Sequence, residues 1–103
     1  GRLSQMDKRR NFTDYERKTV YANGNVRCAI CGKPIDFSKM TIDHKLPLSK
    51  GGTNEMGNLQ PACLTCNVVK SDLTMQELVD IASQIIWHNR YLKIKYLFTK
   101  EAI

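Results

Sequence analysis

No run of about 18 or more apolar residues occurs in the chain, so no membrane span is expected. The opening residues, Gly1-Arg2-Leu3-Ser4-Gln5, lack the apolar core of a signal peptide. They also lack an initiating Met, which suggests a processed chain or a cut-out fragment, so that a signal could have been removed. Internal repeats, linkers and low-complexity stretches are absent too. With 103 residues the chain is one domain at most, expected to span 1–103. Histidine is scarce, with only His44 and His88. Acids are in deficit, leaving a net charge of +6.

That charge is uneven. Residues 1–27 carry seven Lys or Arg against three acids, 28–70 carry five against three, and 71–103 balance at four each. A basic front half suits a polyanion, because Lys and Arg replace the counterions condensed on nucleic acid. Taken alone this is weak, since many soluble domains are as basic for solubility.

Cysteine is the most telling presence. Cys28-x-x-Cys31 and Cys63-x-x-Cys66 form two pairs of identical spacing. A chain this short buries a modest core and gains from a staple. Disulfides serve that purpose in secreted domains, whereas doubled Cys-x-x-Cys pairs in an intracellular chain favour metal. Four thiolates around Zn²⁺ leave no open position, so this zinc is expected to hold the fold and do no chemistry. The Asn11-Phe12-Thr13 glycosylation pattern is then coincidental.

Local signals place the elements. Thr13-Asp14-Tyr15-Glu16 reads as a capping box opening a helix to about Ala22, with Gly24 as its left-handed stop. Lys8-Arg9-Arg10 ahead of it is a basic arm, either a solvated tail or a phosphate contact. Gly32 permits the turn of a zinc knuckle at Cys28–Gly32. Met40 to His44 reads as a short strand, Ser49 to Asn54 as a loop, and Leu59-Gln60-Pro61 as a second strand that Pro61 stops. A helix of about Leu64 to Lys70 comes next. Thr74-Met75-Gln76-Glu77 is a second capping box, opening a helix of about 75–90. Its Leu78, Ile81, Ala82, Ile85 and Ile86 are expected to face the core and pack on the first helix. Tyr91 to Phe98 suggests a strand, with a continued helix open as the alternative.

The 31 residues from 32 to 62 exceed what a minimal zinc ribbon needs, and Asp43, His44, Asn54 and Asn58 lie among them. Imidazole is suited to taking a proton from water near neutral pH, which makes His44 a candidate general base for phosphodiester hydrolysis. Asp43 offers a hard carboxylate oxygen to Mg²⁺ or Mn²⁺, and the amide oxygen of Asn67 offers a second ligand. Such an ion stabilises pentacoordinate phosphorus and the leaving oxygen.

Cys28-Ala29-Ile30-Cys31-Gly32, Thr41-Ile42-Asp43-His44-Lys45-Leu46-Pro47-Leu48-Ser49-Lys50-Gly51-Gly52, Asn58-Leu59-Gln60-Pro61 and Cys63-Leu64-Thr65-Cys66-Asn67-Val68-Val69-Lys70 together resemble an HNH endonuclease. The resemblance covers roughly residues 28–70 and is specific, because separate blocks fall in the family's order and spacing. It implies a ββα-metal (His-Me finger) unit that enters the DNA minor groove and cuts with a single divalent ion, leaving 5′-phosphate and 3′-hydroxyl ends. By that resemblance Asp43 and Asn67 are metal ligands and His44 is the general base. Asn58 would hold the loop and orient the histidine, and Lys70 would meet a phosphate. Many members carry histidine where this chain has Asn67, so it looks like the asparagine-ended variant, with the ion preference affected accordingly.

The expectation is therefore an α+β fold: a ββα-metal unit at 28–70 stapled by a structural zinc. The arm and helix of 1–27 and a helical segment of 71–103 flank it. The function expected is metal-dependent DNA cleavage in an intracellular, cytoplasmic or nucleoid-associated protein, with specificity from a further domain or partner. Lys45 and Lys50 are candidate phosphate contacts or simply solvated. Asn54 reads as a turn residue, His88 as a surface histidine at a helix end, and Trp87 and Tyr91 as core or hinge aromatics. The alternatives are a non-catalytic zinc-ribbon module that binds nucleic acid and a structural zinc domain that docks a protein partner.

Overall fold

The structure, a computed structural model, describes residues 8–99. The leader expectation concerns residues 1–5 and lies outside them, as do 100–103 of the C-terminal segment. Helix α1 spans Asp14–Asn23 and begins as its sequence dictates. The Thr13 hydroxyl accepts from the Glu16 amide and the Glu16 carboxylate accepts from the Thr13 amide. Arg10 grips the same carboxylate at 2.8 Å, and this pair, with the Thr13 amide, holds the Glu16 carboxyl down at about 2.

The end of α1 departs from expectation. Gly24 has φ −90°, not a left-handed value, and the chain turns instead through Asn25 and Val26, both at φ 56°. Glycine is required at 24 for a tertiary reason: a Cβ there would run into the ring of Pro61. The close approach lets α1 pack on the sheet.

That sheet has two antiparallel strands, β1 (Thr41–His44) and β2 (Leu59–Ala62), with Thr41 opposite Ala62 and His44 opposite Leu59. Pro61 sits inside β2, opposite Ile42, and does not stop it. The Pro61 carbonyl accepts from the Ala29 amide, so its hydrogen-bonding edge faces away from β1. A missing N–H on that edge costs the ladder nothing. Helix α2 (Leu64–Lys70) comes directly after, which completes a ββα unit.

The core is small: Val20, Cys28, Ile35, Met40, Leu59 and Ala62 are buried. Arg17 ties α1 to the segment entering β1 by donating to the carbonyls of Phe37 and Met40, and Tyr21 donates to the Ile35 carbonyl. One metal-candidate cysteine thus belongs to the apolar core itself.

Helix α3 (Met75–His88) has the predicted capping box at Thr74 and Glu77 but buries none of its residues. Ile81, Ile85 and Ile86 are exposed and Leu78 and Ala82 are only half-buried, so the stripe expected to face the core does not enter it. Residues 90–99 form helix α4 (Arg90–Thr99), not a strand. Among the described residues no helix is long and apolar enough to cross a membrane.

Candidate active site and metal centre

The four cysteine sulfurs lie within 4.8 Å of one another, and none is in a disulfide. Each pair is shaped by its own backbone. The Cys28 sulfur accepts from the amides of Ile30 and Cys31 at 3.4 Å, and Gly32 closes the knuckle at φ 80°. The Cys63 sulfur caps α2 by accepting from the Cys66 amide. Burial raises the Cys28 thiol, but the amides of Cys31, Cys63 and Ile30 outweigh it and bring it down to about 6. Burial, the neighbouring Cys63 and Cys31, and the charge on Cys28 push Cys66 well up. Four thiolates cannot share this space without a cation between them. A tetrahedral Zn–S distance of about 2.3 Å sets sulfurs about 3.8 Å apart, so the cluster suits a zinc ion after a small contraction.

Strand β1 ends at Asp43 and His44, both buried, at 4% and 7% exposure. Although successive strand residues alternate faces, the strand stops at His44 and both side chains line one cleft. Asn67 lines it as well, with Arg9 from the arm and Asp72 beyond α2. The Asp43 carboxylate is held from behind: Lys70 Nζ lies 3.2 and 3.1 Å from its two oxygens, and Gln60 donates to Oδ2 at 2.9 Å. Lys70 also donates to the His44 carbonyl at 2.9 Å. The expectation of Lys70 at a phosphate is corrected here. It is fully buried, because it lies one turn after Asn67 on the face of α2 turned to the sheet.

The orientation of Asn67 is set by a single hydroxyl. Thr41 Oγ1 donates to the Ala62 carbonyl at 2.8 Å, so it can only accept from Asn67, which gives it Nδ2 at 2.8 Å. The amide oxygen of Asn67 is left as the atom to offer an ion. A carboxylate and an amide oxygen on one cleft form a hard donor set suited to Mg²⁺ or Mn²⁺.

Asn58 clamps the loop that leaves His44. Its amide donates to the carbonyls of Leu46 and Thr53, its side-chain oxygen accepts from the Leu46 amide, and its backbone carbonyl accepts from Lys45. Gly52 is pressed against this loop so closely that a Cβ would strike the Leu46 carbonyl. Lys45 is exposed and lines a separate groove with Met56 and Pro61. Lys50 is exposed and pairs with Glu77 at 2.6 Å, which ties the loop to α3 and, with the Thr74 amide, holds Glu77 at about 2. His88 lies exposed at the end of α3. Trp87 and Tyr91 are exposed at the α3–α4 junction, a hinge position and not a core one.

Two features are invisible residue by residue. Asn54, a turn residue by its sequence, has its Oδ1 2.8 Å from His44 Nε2. The arm lies against the site, with Arg9, Arg10 and Phe12 lining a second cleft beside His44 and the Phe12 ring 6.3 Å from the imidazole. The even balance between tail and phosphate contact is the only sequence signal for the arm, and Asn54 gives none beyond its place among the candidates.

A family model described as HNH endonuclease matches residues 28–73. The chain is 30% identical over 102 aligned positions to the "SPbeta prophage-derived putative HNH endonuclease YoqL" of Bacillus subtilis (strain 168), which takes in 85% of this chain and 42% of that protein. It is 43% identical over 49 residues to the "CRISPR-associated endonuclease Cas9" of Corynebacterium diphtheriae, covering 47% of this chain and 4% of that one. The chain thus spans less than half the length of either relative.

Proposed function

We propose, from the match of residues 28–73 to the HNH endonuclease model, that the chain hydrolyses DNA phosphodiester bonds with His44 as general base and a divalent ion held by Asp43 and Asn67. The supporting observation is the convergence of imidazole, carboxylate and amide oxygen on one cleft.

Each residue has one task in this reading. His44 takes the proton of a water attacking in line with the departing 3′ oxygen. Lys70 and Gln60 fix the aim of the Asp43 carboxylate through charge-assisted and neutral hydrogen bonds. Thr41 keeps the oxygen of Asn67 turned outward. Asn58 fixes the backbone after His44. A divalent ion between Asp43 and Asn67 supplies, when bound, positive charge for the leaving oxygen. The zinc held by Cys28, Cys31, Cys63 and Cys66 keeps β2 and α2 in place beneath them. Lys45 contributes a diffuse attraction for the DNA backbone, as does Lys50 where it leaves Glu77. The chain works as one such unit inside the cell. Site selection falls to a further domain or partner, since a domain of this size covers little DNA.

The test is cleavage of supercoiled plasmid by zinc-loaded protein with Mg²⁺ or Mn²⁺. Nicked or linear product is expected, and EDTA and His44→Ala should both abolish it while circular dichroism stays native. Cleavage that survives His44→Ala, or DNA binding without cleavage under either ion, would overturn the reading. The second result would favour a zinc-ribbon binding module.

A further inference from the structure

We propose that Asn54 is a positioning residue with two ends: one locks His44 as its Nε2–H tautomer, and the other seats the arm so that Arg9 meets the DNA phosphate. This rests on the nuclease reading for its chemistry, though its structural half stands without it.

Asn54 Nδ2 donates to the Lys8 carbonyl in the arm at 2.7 Å, and Asn54 Oδ1 lies 2.8 Å from His44 Nε2. Turning the amide over would set oxygen against the Lys8 carbonyl, two acceptors in contact. The Lys8 carbonyl therefore decides which end of Asn54 faces the histidine. A carbonyl oxygen can only accept, so Nε2 carries the hydrogen. A neutral imidazole has one such hydrogen, and Nδ1 keeps the lone pair needed to take a proton. The base is thus prepared by a residue 10 positions away, which is itself oriented by one 46 positions away.

The same bond fixes the path of the arm just after Lys8. Arg9 lines both clefts that border His44. Its neighbours are engaged: Arg10 forks onto Glu16 and lies 4.4 Å over the Phe12 ring, and Arg17 donates to two carbonyls. Arg9 has no hydrogen-bond or ion-pair partner among the described residues. An uncommitted guanidinium beside a base is placed to take a phosphate oxygen pair in a bidentate grip.

Substitutions separate the two ends. Asn54→Ala loses both, and kcat should fall about 10- to 100-fold, as expected for a misplaced catalytic group. Asn54→Asp keeps an acceptor for Nε2 but repels the Lys8 carbonyl. It should retain kcat within a few fold and raise KM for DNA, as should Arg9→Gln. Long-range ¹H–¹⁵N spectra of the imidazole, taken where histidine is neutral, should show hydrogen on Nε2 in the native protein and a tautomer mixture in Asn54→Ala. A native Nδ1–H tautomer overturns the proposal, as does Asn54→Ala with unchanged spectra and kcat, or Arg9→Gln with unchanged KM. If the native protein cleaves nothing, the nuclease reading has failed, and the native spectrum still decides the Asn54 contact. Should Asn54→Ala not fold, Asn54→Asp and Arg9→Gln carry the test.

Discussion

Lys70→Met places an unbranched side chain where a buried ammonium stands, and it leaves the Asp43 carboxylate in place without its counter-charge. Native Lys70 is 0% exposed and Asp43 4%, so no water can replace the lost partner cheaply. Among the described residues Gln60 would remain as the carboxylate's one side-chain donor, and the His44 carbonyl would lose its Lys70 donor. Breaking a buried ion pair from one side costs roughly 3–5 kcal/mol. The orphaned carbonyl adds about 1 kcal/mol or more. A domain of this length has about 5–15 kcal/mol in total. The variant should therefore lose about a quarter or more of the domain's stability.

Urea titration of zinc-loaded protein measures this. With a slope of about 1–3 kcal/mol per molar, the midpoint should fall by at least about 1.3 M. The control is Lys70→Met combined with Asp43→Asn, which removes both charges and should regain a large share of the loss. A single variant within about 1 kcal/mol of native would refute the reasoning. So would a double variant no better than the single one, since the penalty would then not be the stranded charge.

Two further outcomes are expected. Removing zinc with a strong chelator should unfold the ββα unit, because Cys28 is both core and candidate ligand and structural zinc supplies about 10–16 kcal/mol in small domains; an unchanged circular dichroism melt after verified metal loss would contradict this. Gly24→Ala should cost about 1–3 kcal/mol by overpacking against Pro61, whereas Gly57→Ala, with nothing within 4 Å of its added methyl, should be close to neutral. Equal melting temperatures for the two would overturn the packing account of Gly24.

Local features are the ones legible in the chain. Both capping boxes close within three residues, and both read correctly from Thr13, Glu16, Thr74 and Glu77. The cysteine spacing predicts a cluster because each pair needs only one tight turn. The bounds of α2 come from Cys63 and Lys70. Features decided across the fold are not legible in the same way. Gly24 reads as a backbone device, yet its reason is the Pro61 ring. Pro61 reads as the end of a strand whose free edge in fact points away from its partner. Periodicity in α3 identifies an apolar face but not whether anything covers it, and Ile85 and Trp87 remain open. Alternation in 91–98 loses to helix because a single alternating run with no partner strand has nowhere to place its hydrogen bonds. Lys70 reads as a phosphate contact by resemblance, and only the position of Asp43 in space turns it inward. Asn54 is the hardest case, since both of its partners are remote in sequence.

The Thr41 hydroxyl gives the site a sense of direction. A backbone carbonyl in β2 consumes its one proton, and that choice passes to Asn67 as the question of which amide end faces the cleft. Polarity is transmitted here as a sign through two hydrogen bonds, without any charged group. Serine at 41 would pass on the same sign, whereas valine, equal in shape, would pass on none. The asparagine would then be free to turn its NH₂, in place of its oxygen, toward the cleft, and a change at 41 alone would have reversed the polarity that Asn67 shows there.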